Sequence, residues 1–119
     1  MQLVADLISR GLFQQASDPE LDAKLSALAK QRPIAAYAGF DPTADSLHVG
    51  NFVAILGLMY AQKNGMRPIA IVGGATGLIG DPSGKTSERQ LQTKETVAQN
   101  VLGIRKVLER FLDFNHPTA

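Results

Sequence analysis

Residues 34–73, IAAYAGFDPTADSLHVGNFVAILGLMYAQKNGMRPIAIVG, decide the fold of this chain. Two short apolar runs within them, residues 34–40 and 68–73, are bounded by proline and glycine and are typical of buried strands. Between these runs, residues 49–63 are long and apolar and end at an Asn-Gly pair, which predicts a buried helix. Strand, loop, helix and strand form a βαβ unit, so we expect a parallel sheet with a right-handed crossover.

Amphipathic helices are predicted on both sides of this unit. A short helix is expected from Leu3 to a left-handed cap at Gly11. A second helix is expected from an N-cap at Asp18 to the helix breaker Pro33. Further along, apolar residues recur at intervals of four and three, which predicts a third helix: Val97, Val101, Ile104, Leu108 and Phe111.

Composition excludes several classes of protein. The chain has 119 residues, 45% of them hydrophobic, with 12 basic and 11 acidic side chains, which rules out a disordered tail. It has no Cys and 2 His, so neither a disulfide scaffold nor a Cys- or His-rich metal site is expected. The longest apolar run, residues 52–61, is too short to cross a bilayer, no signal-peptide pattern opens the chain, and a cytoplasmic protein is the default expectation. The charges are dispersed, so charge alone gives no argument for nucleic-acid binding.

Polar, glycine-containing stretches follow the predicted strands, where open α/β sheets bind ligands: residues 37–45, 48–51 and 73–85. The last stretch leads into Gly84-Lys85-Thr86, which resembles the end of a phosphate-binding P-loop. That loop needs a glycine five positions before Gly84, where Ile79 stands, so a P-loop is disfavoured. The glycine spacing of the dinucleotide fingerprint is absent too, and a nicotinamide cofactor has no support.

Residues 48–51 open the predicted buried helix and are the best candidates for contact with a phosphorylated ligand. Unpaired N–H groups and the positive end of the helix dipole attract phosphate at such a position. His48 adds an imidazole donor, Gly50 leaves space, and Asn51 adds an amide. The alternative is that these residues are an ordinary exposed helix start.

Two longer stretches carry a family resemblance. Residues 37–52, YAGFDPTADSLHVGNF, resemble the first signature of the class I aminoacyl-tRNA synthetases, in which His-x-Gly-His or His-x-Gly-Asn opens a helix below ATP. Residues 73–85, GGATGLIGDPSGK, look like the bacterial tyrosyl-tRNA synthetases in particular. The resemblance implies an α/β, Rossmann-like nucleotide-binding fold. We therefore divide the chain into an N-terminal helical segment, residues 1–32, and the first part of an incomplete catalytic domain, residues 33–119.

The resemblance also implies a reaction. Enzymes of that family join tyrosine to ATP, which acts with Mg²⁺, to form tyrosyl-adenylate and pyrophosphate, and then transfer tyrosine to tRNA(Tyr). It implies a cytoplasmic homodimer with no membrane association. The family's second, lysine-rich signature and most tRNA-binding residues lie further downstream, so these 119 residues are expected to be inactive or feeble alone. Two alternatives stay open: a non-catalytic nucleotide-binding module, and a minimal piece with weak adenylate formation.

Particular residues match the family's functional positions. The resemblance assigns catalytic roles to Thr43, His48, Lys85 and Arg89. It assigns tyrosine binding to Tyr37, Asp41, Thr76 and Asp81. It assigns ATP binding to Gly39, Asp41, Thr43, His48, Gly50 and Asn51, and no protein-held metal. Plainer interpretations remain for some of them: Lys85 and Arg89 as solvated charges, Tyr37 as a strand residue, and Asp41 and Asp81, each before a proline, as turn formers.

Overall fold

The chain is an α/β arrangement built around two parallel strands, as the sequence predicts. The computed structural model describes residues 1–74 and 92–117. Its elements, with a 3-10 turn at Val49–Asn51 before the third helix, are α1 (Leu3–Ser9), α2 (Leu21–Ala29), β1 (Ala35–Phe40), α3 (Phe52–Lys63), β2 (Arg67–Val72) and α4 (Lys94–Leu108).

Strands β1 and β2 pair in parallel, with Ala35 opposite Arg67 and Phe40 opposite Val72. Helix α3 connects them and packs against both, so the predicted βαβ unit is confirmed. Both strands end at the same edge of the sheet, where Gly73 N–H donates to Phe40 O at 3.0 Å. The chain that follows β1 and the chain that follows β2 therefore start side by side.

The core lies between one face of the sheet and the two longer helices. Phe40 from β1, two residues of α3 and two of α4 are buried together with Leu112, the set being Phe40, Ile55, Leu58, Ile104, Leu108 and Leu112. Phe52 and Phe111 meet edge to face beside this cluster, with ring centroids 5.1 Å apart. Helices α3 and α4 therefore pack together through these buried side chains.

The opposite face of the sheet is open in the part of the chain that the structure describes. Tyr37 is 75% exposed there, and its neighbours Ile69 and Ile71 on β2 are 42% and 48% exposed. Parallel sheets are normally covered on both faces. Within the described residues, the two strands therefore leave one apolar face of the sheet exposed.

The N-terminal helices attach to each other and to α3 through polar groups. The Asp22 carboxylate of α2 accepts hydrogen bonds from Val4 N–H at 2.9 Å and Ala5 N–H at 3.0 Å. A carboxylate at this helix start satisfies free N–H groups and interacts favourably with the helix dipole. Asn64, which follows α3, donates to Asp6 Oδ2 at 3.2 Å and so links α1 to the end of that helix.

The predicted start of α2 is wrong by a few residues. The helix begins at Leu21, because Asp18 does not cap it and instead forms a turn in which Asp18 Oδ1 accepts from Glu20 N–H at 2.8 Å. Its carboxylate also pairs with Lys24. The Lys24 ammonium, with the Glu20 N–H, lowers the pKa of Asp18 below its ordinary value, so the carboxylate stays ionised to lower pH.

Helix α4 has different limits from the apolar pattern that predicts it. It begins at Lys94, before Val97, because Thr93 Oγ1 accepts from Thr96 N–H at 3.1 Å and caps the helix. It ends at Leu108, and Phe111 lies in the turn that follows. Among the residues described, no helix combines the length and the apolar character that crossing a membrane requires.

Candidate active site

A cavity of about 250 Å³ lies where β1 ends and α3 begins. Residues 41–47 join the two elements without forming a helix or strand, so the chain can turn its polar groups towards this space. The cavity is lined by Gly39, Phe40, Asp41, Thr43, Ala44, Ser46, Leu47, His48 and Asn51. It therefore occupies the carboxyl edge of the parallel sheet, the place where open α/β folds bind ligands.

The start of the helix is closed by two reciprocal hydrogen bonds. His48 Nδ1 accepts from Gly50 N–H at 3.0 Å, and His48 N–H donates to Asn51 Oδ1 at 3.1 Å. A further bond joins Asn51 N–H to His48 O at 3.0 Å. The expectation of unpaired N–H groups is therefore wrong for Gly50 and Asn51. At this helix start the side chains that line the cavity are those of His48 and Asn51.

The hydrogen bond at Nδ1 also fixes the chemistry of His48. A ring nitrogen that accepts a hydrogen bond carries no proton, so the neutral imidazole holds its proton on Nε2. His48 is exposed and lines the cavity, which leaves Nε2–H as a donor for a ligand. The ring orientation is set before any ligand arrives.

Gly50 is required by this arrangement. A Cβ at position 50 would stand 2.8 Å from His48 Cε1 and 2.9 Å from His48 Nδ1, well inside contact distance. A methyl group there would displace the imidazole from its bond to the backbone. The absence of a side chain at Gly50 thus allows His48 to keep its bond to the backbone.

The structure brings together most of the predicted ligand-binding residues that it describes. Gly39, Asp41, Thr43, His48 and Asn51 all line the cavity. Gly50 lies beside the His48 ring. The remaining four predicted residues fall outside the described part of the chain: Thr76, Asp81, Lys85 and Arg89.

Tyr37 does not line the cavity and lies on the open face of the sheet. It shares that face with Gly39, because alternate residues of a strand point to the same side. The Cα atoms of these two residues are two positions apart along the strand, a distance of roughly 7 Å. A ligand in the cavity that extended along the sheet by one aromatic ring would reach Tyr37.

The charges of the cavity are sparse. Among the described residues that line it, Asp41 is the single carboxylate, and neither lysine nor arginine is present. No group of three metal-ligating side chains occurs within residues 1–74 and 92–117. The described wall of the cavity thus favours a cationic group near Asp41 and offers neutral donors, Thr43 and His48, elsewhere.

Sequence reasoning missed the residues that hold the loop behind the cavity. Asn100 is 7% exposed, and its Nδ2 donates to Pro42 O at 2.9 Å. Gln92 Nε2 donates to Thr43 O at 2.8 Å. A signal for Asn100 existed, because it stands three residues after Val97 on the apolar side of α4, where a polar residue needs a partner.

A larger recess of about 660 Å³ lies at the end of α4 and is lined by residues 105 and 109–115. It contains none of the residues that the sequence patterns assign to a ligand. Size alone does not identify a binding site, and the smaller cavity has the convergent polar groups at the sheet edge. We therefore place the candidate site at the smaller cavity.

The parallel βαβ unit, with polar side chains at the carboxyl edge of its strands, has the arrangement of an open α/β protein, in which ligands bind at that edge. Residues 29–119 match the family described as tRNA synthetases class I (W and Y). The match covers more than half of the chain, so the chain belongs to this family.

Individual proteins of known function are also similar to the chain. The chain is similar to the tyrosine–tRNA ligase of Protochlamydia amoebophila, at 59% identity over 102 residues, which is 83% of this chain and 24% of that protein. It is also similar to the tyrosine–tRNA ligase of Bacillus caldotenax, at 55% identity over 114 residues, which is 96% of this chain and 26% of that protein. The chain spans about a quarter of the length of these relatives.

Solved structures agree with the sequence comparison. A C-terminally truncated mitochondrial tyrosyl-tRNA synthetase of Coccidioides posadasii superposes with a TM-score of 0.67 at 32% identity, covering 91% of this chain and 27% of that one. The corresponding Aspergillus nidulans structure gives a TM-score of 0.62 at 28% identity. The resemblance and the fold class stated from the sequence are confirmed.

Proposed function

We propose that this chain forms part of the adenylation site of a tyrosine–tRNA ligase. In that reaction the carboxylate of tyrosine attacks the α-phosphorus of ATP, pyrophosphate leaves, and tyrosyl-adenylate then passes its tyrosyl group to tRNA(Tyr). The observation that carries the proposal is the cavity in which Asp41, Thr43 and His48 converge at the carboxyl edge of β1. Membership of the class I family supports the same reaction.

The substrate supplies the nucleophile, so the protein must supply positioning and charge stabilisation. His48 donates Nε2–H to a phosphate oxygen of the departing pyrophosphate, and its fixed ring makes this a preorganised donor. Thr43 lines the same cavity and adds a hydroxyl donor. These two groups stabilise the negative charge that develops as the α-phosphorus becomes five-coordinate.

The remaining cavity residues orient the two substrates. Asp41 contacts the ammonium group of tyrosine, before or after the adenylate has formed. Asn51 uses Oδ1 for His48 N–H, so its Nδ2 is the group that donates to a ribose oxygen. Gly39 has nothing within 4 Å of the place of a Cβ, which leaves room for the nucleotide.

Selection of tyrosine would come from Tyr37 and Asp81, with Thr76 contributing to the same pocket. Tyr37 donates to the phenolic oxygen of the substrate, and Asp81 accepts the phenolic proton. Phenylalanine would leave both groups without a partner, which disfavours it. The open position of Tyr37, on the face that it shares with Gly39, supports this assignment.

Cations must offset the phosphate charge, since the described lining of the cavity provides none. We assign this to Lys85 and Arg89 and to the Mg²⁺ that accompanies ATP; Mg²⁺ usually keeps substrate phosphates and water as ligands and needs few protein groups. The tRNA(Tyr), a second subunit of a homodimer and a cytoplasmic location belong to the same proposal, by analogy with the family.

Tyrosine-dependent exchange of pyrophosphate into ATP tests the proposal. The complete polypeptide that the gene encodes is assayed beside His48→Ala and the control His116→Ala, which alters the second histidine in the sequence, outside the cavity. Loss of a preorganised donor lowers kcat by about 10²- to 10³-fold. We expect that loss for His48→Ala and a wild-type rate for the control.

The result that contradicts adenylation is an exchange rate that does not depend on tyrosine or on His48. Nucleotide binding without exchange, measured by calorimetric titration with ATP, would instead favour the non-catalytic nucleotide-binding module. The two measurements on one preparation therefore separate the enzyme from that alternative.

A further inference from the structure

The backbone that carries Thr43 is anchored from outside the cavity. Residues 41–47 belong to no helix or strand, so no ladder of backbone hydrogen bonds fixes their course. Two of their carbonyl groups, those of Pro42 and Thr43, accept hydrogen bonds from the side chains of Asn100 and Gln92. The loop therefore depends on residues 49 and 58 positions further along the chain.

The two anchoring side chains also bond each other. Asn100 Nδ2 donates to Gln92 Oε1 at 3.2 Å in addition to Pro42 O, while Gln92 Nε2 donates to Thr43 O. Each amide thus restricts the other, because a rotation of Gln92 that frees Thr43 also breaks its bond to Asn100. Linked bonds of this kind hold a geometry more rigidly than separate ones.

A third contact presses the loop against the same helix. A Cβ placed on Gly103 would stand 2.0 Å from Asp45 O and 2.9 Å from Asp45 C, so the loop backbone lies directly on α4 at this glycine. Contacts at Pro42, Thr43 and Asp45 span most of the loop. Neither Gln92 nor Asn100 lines the cavity itself.

We propose that Gln92, together with Asn100, is a positioning residue that sets the place of Thr43 in the adenylation site, an inference that rests on the proposed function. Anchoring the carbonyls of Pro42 and Thr43 fixes the two peptide planes that meet at the Thr43 Cα, and with them the direction in which the Thr43 side chain leaves the backbone. A displacement of about 1 Å in a reacting group can cost about a hundredfold in rate. Releasing one of the three contacts has a smaller effect on kcat, about tenfold.

Gln92→Ala is the informative variant, because Gln92 is half-buried and precedes α4, so its loss leaves the core intact. Gln99→Ala is the matched control: the residue type is the same, and Gln99 is exposed on α4. The complete polypeptide that the gene encodes is assayed for tyrosine-dependent ATP–pyrophosphate exchange. The ¹³C shift of the Thr43 carbonyl is measured on the same polypeptide, because that shift responds directly to loss of the bond.

We expect Gln92→Ala to lower kcat about tenfold, to leave the KM for tyrosine within twofold, and to move the Thr43 carbonyl shift. Gln99→Ala should do none of these. An unchanged kcat in Gln92→Ala, or an equal fall in Gln99→Ala, overturns the positioning role while the activity of the wild type upholds the proposed function. If the wild-type protein shows no tyrosine-dependent exchange, the proposed function itself is wrong. The comparison of Gln92→Ala with Gln99→Ala tests the positioning role alone.

Discussion

Helices α3 and α4 share one buried core, yet they support the candidate site by different means. Helix α3 contributes the 3-10 turn that precedes it, where His48 and Asn51 bond each other, while the helix itself is mostly apolar. Helix α4 contributes its flank, where Asn100 and Gly103 touch the loop that forms the cavity wall. The turn before α3 thus places the His48 side chain in the cavity wall, and α4 holds the backbone that carries Thr43.

Glycine shows the difference most clearly. Gly57 of α3 has nothing within 4 Å of the place of a Cβ, whereas a Cβ on Gly103 of α4 would stand 2.0 Å from Asp45 O. Both residues lie in a helix interior, where glycine costs stability through its conformational freedom. At Gly103 that cost accompanies a close backbone contact, and at Gly57 the described structure shows no contact that requires it.

The substitutions Gly103→Ala and Gly57→Ala test this difference between the helices, and Gly103→Ala should have the largest effect on stability. At position 103 the new methyl group meets a backbone carbonyl that cannot rotate away, so the helix and the loop must separate. Overpacking of this kind costs about 3 kcal/mol at the upper end of its range. We expect a loss of that size in the free energy of unfolding, measured by urea denaturation of the chain.

The matched substitution at position 57 should act in the opposite direction. Open space receives the methyl group, and alanine gains about 0.5–1 kcal/mol over glycine in a helix interior. Equal effects at the two positions would mean that the loop does not rest on α4 at Gly103. Stabilisation at both positions would mean the same.

Asn100→Ala tests the second contact between α4 and the loop, and its effect on stability should be smaller than that of Gly103→Ala. The substitution leaves Pro42 O buried without its donor and removes one partner of Gln92. An unsatisfied buried acceptor of this kind costs about 2 kcal/mol. We expect urea denaturation to show that loss, while Gln99→Ala on the exposed side of the same helix changes stability by less than about 0.5 kcal/mol.

The contrast between the helices also marks how far the sequence could predict the structure. Both strands and α3 followed from local apolar runs and their boundaries, because these elements are dictated by residues close in the chain. The start of α2 was misplaced because Asp18 bonds Glu20 N–H in a local turn instead of capping the helix. The apolar pattern predicts α4 but not its start, which lies at Lys94 because Thr93 caps the helix before the pattern begins.

The part of the candidate site formed by one continuous sequence motif could be predicted, and the part formed by residues distant in sequence could not. Asp41, Thr43 and His48 lie in one continuous stretch, and the family resemblance identifies them together. Asn100 reaches this stretch across 58 positions of sequence, and its position on an apolar helix face was its sole local signal. Gly57 and Gly103 look alike in the sequence, and a three-dimensional contact separates them.

The smallest effect is expected on the solvent side of α4. Arg105 Nε donates to Glu109 Oε1 at 2.8 Å, but both side chains are well exposed, at 69% and 46%. Exposed pairs at this helical spacing contribute about 0.3–0.5 kcal/mol, and salt screens them. A double-mutant cycle with Arg105→Ala and Glu109→Ala, measured by urea denaturation, should give a coupling energy of that size that vanishes near 1 M salt.

A coupling energy above about 1 kcal/mol would contradict this expectation, because exposed pairs do not reach that value. It would also change the comparison between the helices, since α4 would then be stabilised substantially from its solvent side. If the coupling energy is small, the contacts of α4 that contribute most to the free energy of unfolding are on the side that carries Asn100 and Gly103. That is the side on which the loop with Thr43 rests, so stability and the geometry of the site depend on the same contacts.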